Sequence, residues 1–549
     1  MTKRILALLL VLVMVIALAA CGAAKEEPKA DDSAKTEEKT EEKTEEKADD
    51  AAEEEPAADD GLTTEYGRLD DPYTITWFAG GTQQADADVV LEAMQNYVNE
   101  KYGMNVTLDI TQTPYGDLQQ KMSLAYSSGE KWDLCWAGNW SNSFTLGAAQ
   151  GAFMDISELL PKYAPELNDF VDIYWASTTI NGGIYAVPNI QLEYTCNFAT
   201  IPTKWVEMYN AANPDTPVAN GTTKDLLALE DFWFWAKENV IDAGVDFNGV
   251  VPKYGLREGI EGSCAAAWLM EGIGISNLEF KLGDETCTVY TKFDFPEVID
   301  AWKLANRLYN AGIIPSDAVT RQWANSDWAL LEVMSQFHPS FKPGEVQNQY
   351  RYWQLDESKD ELTFLEFGEH WATYNFPIAT VTCVNAQCER PDIVMKFLNI
   401  LNTDAELFNM ICFGIEGTHY NVADGCAVPV ENSAYNPNND WGFGNQFLAY
   451  PREGQPADIW EVTAANNAAA IPSCAMGFTP DDSNIGTQLA NVNAVGEQYD
   501  KTIHNGALQG SEEDFEAYIN QYKEEMFAAG LQDIVDEIQG QVDAWLAAK

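Results

Sequence analysis

Tyr73-Thr-Ile-Thr-Trp-Phe78 alternates apolar and polar residues and is rich in β-branched and aromatic side chains, which predicts a strand. Residues 79–84 lose that period and carry Gly80 and Gly81, so they form a loop. Val89, Val90, Ala93, Met94, Tyr97 and Val98 then recur at helical spacing, with Asp86 or Asp88 placed to cap the start and Gly103 to end the helix. Residues 105–110 predict a second strand, Asp117 to Ser128 a second helix closed by Gly129, and residues 132–136 a third strand. Strand–helix–strand–helix–strand makes a parallel sheet with right-handed crossovers. Ligands of open α/β sheets bind beyond the carboxyl ends of the strands. That rule singles out the loops 80–84, 111–115 and 138–141, and in them Gln83, Asn139 and Trp140.

Helical spacing dominates later. Residues 296–310 place Val298, Ile299, Trp302, Ala305 and Leu308 on one side, with Gly312 beyond the end. Residues 391–409 predict a helical pair. Residues 512–547 predict two amphipathic helices broken at Gly530, one with Phe515, Tyr518, Ile519 and Tyr522 on a face, the other with Ile534, Val535, Ile538, Val542 and Trp545. Their polar faces are acidic, which suits a terminal cap on a lobe and not a membrane surface.

The first 60 residues obey neither period. Lys3 and Arg4 precede an unbroken apolar run from Ile5 to Ala17, too short to span a bilayer and built like an export signal. Residues 25–60 contain no aromatic or large aliphatic residue and repeat Thr-Glu-Glu-Lys three times between Thr36 and Lys47. No core can form there, so a disordered acidic tether is expected, spanning roughly 35 Å as a coil.

The 549 residues suffice for two or more lobes, and 17 Trp exceed what cores require. Net charge is −54, and from residue 61 onward 69 Asp and Glu face 24 Lys and Arg. Nucleic acid is excluded as a partner by that balance, and a neutral ligand suits it better than an anionic one. Four His and no His-Glu-x-x-His argue against a zinc enzyme. No phosphate loop, dinucleotide fingerprint or Gly-x-Ser-x-Gly elbow occurs, so neither a cofactor nor covalent chemistry is expected. Of ten Cys, Cys383 with Cys388 and Cys412 with Cys426 are close enough in sequence to bridge; the alternative is buried thiols.

Leu18-Ala-Ala-Cys21 resembles the bacterial lipobox. The resemblance implies removal of residues 1–20, a lipid on Cys21, and a chain held at the outer face of the cell membrane. Residues 181–188, Asn-Gly-Gly-Ile-Tyr-Ala-Val-Pro, are similar to a hinge segment of bacterial extracellular solute-binding lipoproteins of carbohydrate ABC importers. Residues 413–422, Phe-Gly-Ile-Glu-Gly-Thr-His-Tyr-Asn-Val, resemble a signature of the branch with an extra C-terminal domain, with Phe413 where Tyr is usual. Residues 441–447, 476–478, 488–491, 529–531 and 541–546 fit the same branch, so the resemblance covers about residues 70–549.

The fold expected is α/β, a two-lobed periplasmic-binding-protein-like (type II) fold with hinge crossings near 185–189 and 376–385 and a C-terminal helical extension. The boundaries expected are signal 1–20, lipidated Cys21 and tether 21–60, first lobe 61–187, second lobe 188–375, return to the first lobe and hinge 376–430, and extension 431–549. Such a protein would hold a neutral sugar or oligosaccharide between its lobes and, as a monomer, deliver it to membrane permease subunits. Sugars need aromatic faces and paired polar groups. Trp140, Trp268, Trp441 and Tyr194 are candidates for stacking, each with core packing as its alternative. Glu416 is a candidate hydroxyl partner or a structural carboxylate, and His419 a turn histidine. The rival readings are a peptide or other solute binder of the same architecture, or a surface glycoside hydrolase built on two of the many carboxylates.

Overall fold

A computed structural model of the chain describes residues 61–548, except 171, 181, 219–220, 224–228, 258–268, 276, 322–331, 339–340, 342, 358 and 375. The export signal, Cys21, the tether and Trp268 lie outside the described residues.

The chain opens with β1 (Tyr73–Gly80), α1 (Ala87–Tyr102), β2 (Val106–Thr113), α2 (Tyr115–Ser128) and β3 (Leu134–Ala137). β1 pairs in parallel with both β2 and β3, as the alternating periods predict. Val90, Met94 and Val98 bury the inner stripe of α1, while Val89 is turned outward. Gly103 ends α1 at φ +63°, a conformation that costs glycine little. Asp86 occupies the cap position but makes no cap bond; its carboxylate lies 3.3 Å from His419 Nε2.

The chain then forms β4 (Val187–Pro188), β5 (Thr195–Pro202), β6 (Leu362–Ala372), β7 (Val381–Val384), α3 (Ile459–Ala469) and β8 (Ile471–Pro472). The first sheet has the order β2-β1-β3-β7-β4, with β7 antiparallel to both of its neighbours, β3 and β4. In the second, β6 lies between β5 and the strand Gly221–Thr223, β5 also pairs with Gln336–His338, and β8 joins the far end of β6. The chain therefore passes between the sheets at 189–194 and again at 373–380. Phe443 and Ala449 belong to the first core and Ile471 to the second sheet, so a third passage falls before β8.

The first core packs Trp77, Val90, Met94 and Leu134 against the predicted helical pair, Pro391–Leu401 and Ala405–Phe413. The second packs Ala199, Ile201 and Leu365 against Trp205, Trp233 and Leu304. A third core joins the helices Gly486–His504, Glu512–Ala528 and Leu531–Ala548 to the small sheet of Met270–Gly272, Leu278–Lys281 and Val289–Thr291. Helix Pro296–Asn310 serves two cores: Leu304 and Leu308 face the second, Val298 and Trp302 the third.

The cysteine pairs suggested by sequence proximity are not bridged. Cys383 is fixed in β7 opposite Cys135 of β3, and Cys388 donates to Asp133 Oδ1 (3.3 Å). Cys412 is buried in its helix, and Cys426 donates to the Gln455 carbonyl (3.8 Å). Among the described residues a disulfide joins Cys287 to Cys474, 187 residues apart, and ties the small sheet to the start of the C-terminal segment.

Candidate functional site

Four aromatic rings gather where the first sheet's parallel strands end. Trp136 is the third residue of β3 and fully buried. Trp140 follows just past the strand and is 54% exposed. Tyr115 opens α2 directly after β2, and Trp441 arrives from a helical turn, Asp440–Gly442. Tyr115 lies 4.8 Å from Trp136, 4.9 Å from Trp140 and 5.2 Å from Trp441, stacked on the last. Trp140 and Trp441 are 6.1 Å apart. The arrangement is a ledge: Trp136 is the floor and Trp140 the open edge.

The polar edges of these rings are tied to the passages between the sheets. Trp140 Nε1 donates to the Ala379 carbonyl (2.8 Å), and Trp136 Nε1 to Thr380 Oγ1 (2.7 Å). Asn189 Nδ2 donates to the same hydroxyl (2.8 Å) and to the Gly442 carbonyl (3.2 Å). Tyr115 donates to Asn439 Oδ1 (2.7 Å), whose amide donates to the Gly80 carbonyl (2.9 Å). Gly138 is required here, because a Cβ would stand 2.4 Å from the Ala379 carbonyl oxygen. Burial pushes the Tyr115 hydroxyl well above its ordinary range, so it stays protonated and can donate. Beneath Trp441, burial would raise Asp440, but Arg452 (2.6 Å) and Gln446 (2.6 Å) outweigh it and hold the carboxyl below its ordinary value.

Among the residues singled out in the sequence, Trp140 and Trp441 come together. Asn139 is exposed beside them. Gln83 lies at the same end of the sheet, its Oε1 accepting from the Gln112 backbone N–H (2.7 Å) and so bracing the end of β2. Tyr194 is enclosed: it is buried, stacks on His370 at 4.2 Å, and accepts from Asn466 Nδ2 (3.1 Å). In this conformation it serves packing. Glu416 sits in the exposed turn 415–418, away from the ledge's hydrogen bonds, where Gly417 N–H donates to the Tyr420 carbonyl. His419 is a buried turn histidine, with Nδ1 accepting from the Ile415 N–H (2.9 Å) and Nε2 facing Asp86. Tyr115 and Trp136 were not singled out. Tyr115 closes one of the three strand-end loops, and an aromatic at that place was the available signal. Trp136 offered none beyond its strand position.

Residues 474–547 match the family described as a domain of unknown function, DUF3502. Over 87% of this chain and 99% of the other, the fold is similar to the crystal structure of the N-glycan transport solute binding protein NgtS from Streptococcus pneumoniae, at a TM-score of 0.71 and 22% identity. This chain has the fold of a solute-binding protein. The same NgtS in complex with Man1GlcNAc aligns at a TM-score of 0.65, 22% identity, 87% of this chain and 100% of that one. In sequence the chain is 24% identical over 502 residues to a carbohydrate ABC transporter substrate-binding protein of Streptococcus pneumoniae serotype 4, covering 87% of this chain and 92% of the relative. The fold and the match at residues 474–547 agree with the resemblance read from the sequence. The ledge hangs from Ala379, Thr380 and Asn189, at the passages of the chain between the two sheets. No helix among the described residues is long and apolar enough to cross a membrane.

Proposed function

We propose that this chain is the substrate-binding protein of an ABC importer. It captures a neutral oligosaccharide between its lobes and presents it to membrane permease subunits. The carrying observation is the ledge of Tyr115, Trp140 and Trp441, open on one side and built at the carboxyl ends of a parallel sheet. Aromatic faces match the C–H faces of pyranose rings, and Asn139 and Gln83 stand at the rim for hydroxyls. The class is supported by NgtS in complex with Man1GlcNAc and by the relative named a carbohydrate ABC transporter substrate-binding protein.

Ligand contacts to both lobes favour a closed form by their differential affinity, and closure is a population shift. The chain performs no covalent step. Its N-terminal cysteine, Cys21, carries the lipid, and the tether of residues 21–60 keeps a monomer concentrated near its permease. The boundaries expected from the sequence divide it: first lobe to residue 187, second lobe from 188 to 375, return and hinge to 430, extension beyond.

A thermal-shift screen of the protein against neutral oligosaccharides, with short peptides as controls, tests this reading. A midpoint raised by one sugar family, with no product after incubation, is expected, since a ligand of the folded state stabilises by mass action. A shift with peptides alone assigns the architecture to peptide capture. Cleavage of the sugar overturns the binding-protein reading.

A further inference from the structure

At the second sheet, away from the ledge, β5 and β6 fall out of simple register. Phe367 pairs with Asn197, but the next pair is Trp371 with Thr195. Four steps along β6 thus answer two along β5, and the bulge, with Gly368 at φ +83°, sets His370 beside Cys196. Bulges of this kind re-aim side chains next to functional sites. Glu366 completes the group. Cys196 Sγ lies 3.7 Å from Glu366 Oε2, and His370 Nε2 3.8 Å from the same oxygen. One donor atom from each residue falls within 4.8 Å of the others.

Those separations bear on a specific chemistry. Zinc bonds of about 2.3 Å to sulfur and about 2.1 Å to nitrogen or oxygen, in tetrahedral geometry, put ligand atoms roughly 3.4–3.6 Å apart. The sulfur–oxygen and nitrogen–oxygen spacings are already within a few tenths of an ångström of that figure. One thiol, one imidazole and one carboxylate make a borderline-soft donor set, suited to zinc and unlike the all-oxygen shells of calcium or magnesium. Three protein ligands leave a fourth position for water. The imidazole orientation is set from outside the group, by stacking on Tyr194, itself held by Asn466. Cys196 closes the inner side, whereas Glu366 and His370 are 28% and 31% exposed and leave a path in.

We propose that Cys196, Glu366 and His370 bind a divalent transition-metal ion of the zinc class. On binding, the S–H proton passes to solvent and a sulfur–metal bond replaces it, with no change of oxidation state. The ion clamps β5 and β6 at the ends where two of the passages enter the second sheet, since Cys196 follows Thr195 at the start of β5 and His370 stands two residues before its end in β6. It is independent of any sugar.

The test is titration of the full chain with cobalt(II), then zinc(II), in chelator-free buffer. One equivalent of cobalt should bring up a thiolate-to-cobalt charge-transfer absorption, and zinc should displace it. Cys196→Ser should abolish that band, and His370→Gln should weaken zinc binding at least about 10–100-fold. No band in the wild-type chain overturns the proposal. A band that persists in Cys196→Ser assigns the metal to another thiol and overturns it equally. Should Cys196→Ser fail to fold, His370→Gln carries the decision: unchanged zinc affinity contradicts the site, and lost affinity supports it.

Discussion

The ledge and the C-terminal cap are built from the same residue types and do opposite things with them. In the cap, Tyr499 stacks on Tyr522 at 5.0 Å, Phe293 meets Tyr522 at 5.1 Å and Trp302 at 6.1 Å, and Trp302, Tyr499 and Tyr522 are all buried. Helix faces bring these rings inward, so each covers the next. At the ledge Trp140 sits in a loop just past β3 and stays open, and the N–H groups of Trp136 and Trp140 are spent on the connecting chain. Aromatic density alone does not mark a binding surface. What separates the two regions is whether the backbone that carries a ring also supplies something to cover it.

The contrast is sharpest under truncation. Trp302→Ala removes a buried ring from the third core and should cost about 3–5 kcal/mol in denaturant melting, with sugar affinity of the folded fraction unchanged. Reduction of the Cys287–Cys474 disulfide should lower stability by roughly 2–4 kcal/mol through the freed loop, again without touching sugar affinity. A loss of affinity in either case would couple the cap to the ledge and break the separation.

Acid and base divide the regions as well. Glu279, buried in the small sheet under the cap, is raised from 4.5 to about 7 by burial, only partly offset by Lys292. A raised carboxyl contributes stability that is present below about 4.5 and lost as pH rises through about 7. Glu279→Gln should therefore stabilise above pH 7, by up to roughly 2–3 kcal/mol, and do nothing below pH 4.5. Asp404, capping the helix Ala405–Phe413 of the first core, goes the other way. Burial would raise it, but Lys101, Tyr102, Tyr97 and the Leu407 N–H hold it at about 2, below its ordinary 3.8. Its stabilisation is present above pH 3.8 and lost as pH falls through about 2, so Asp404→Asn should flatten the acid limb of a melting-temperature profile.

Much of this was legible in the chain, and the limit is physical. The βαβαβ start follows from local period, because Val90, Met94 and Val98 lie on one helical stripe and each helix ends at a glycine with positive φ, Gly103 or Gly129. Trp140 was placed by topology alone, since strand ends collect loops whatever the sequence. The rest of the ledge was not readable, because its partners are remote: Trp136 meets Thr380 and Tyr115 meets Asn439 across 244 and 324 residues. No local pattern records such pairings. The disulfide escaped for the same reason, and Tyr194 looked like a stacking candidate because its partner, His370, arrives from another strand through a bulge.

The proposed function makes Trp140 a stacking surface for sugar and not a part of the core. Isothermal titration of wild type and Trp140→Ala with the oligosaccharide that raises the melting midpoint tests it directly. A 10–100-fold weaker Kd is expected for the variant, about 1.4–2.8 kcal/mol, with stability changed by less than about 1 kcal/mol. Unchanged affinity, or a variant that loses its fold before it loses its ligand, would contradict it.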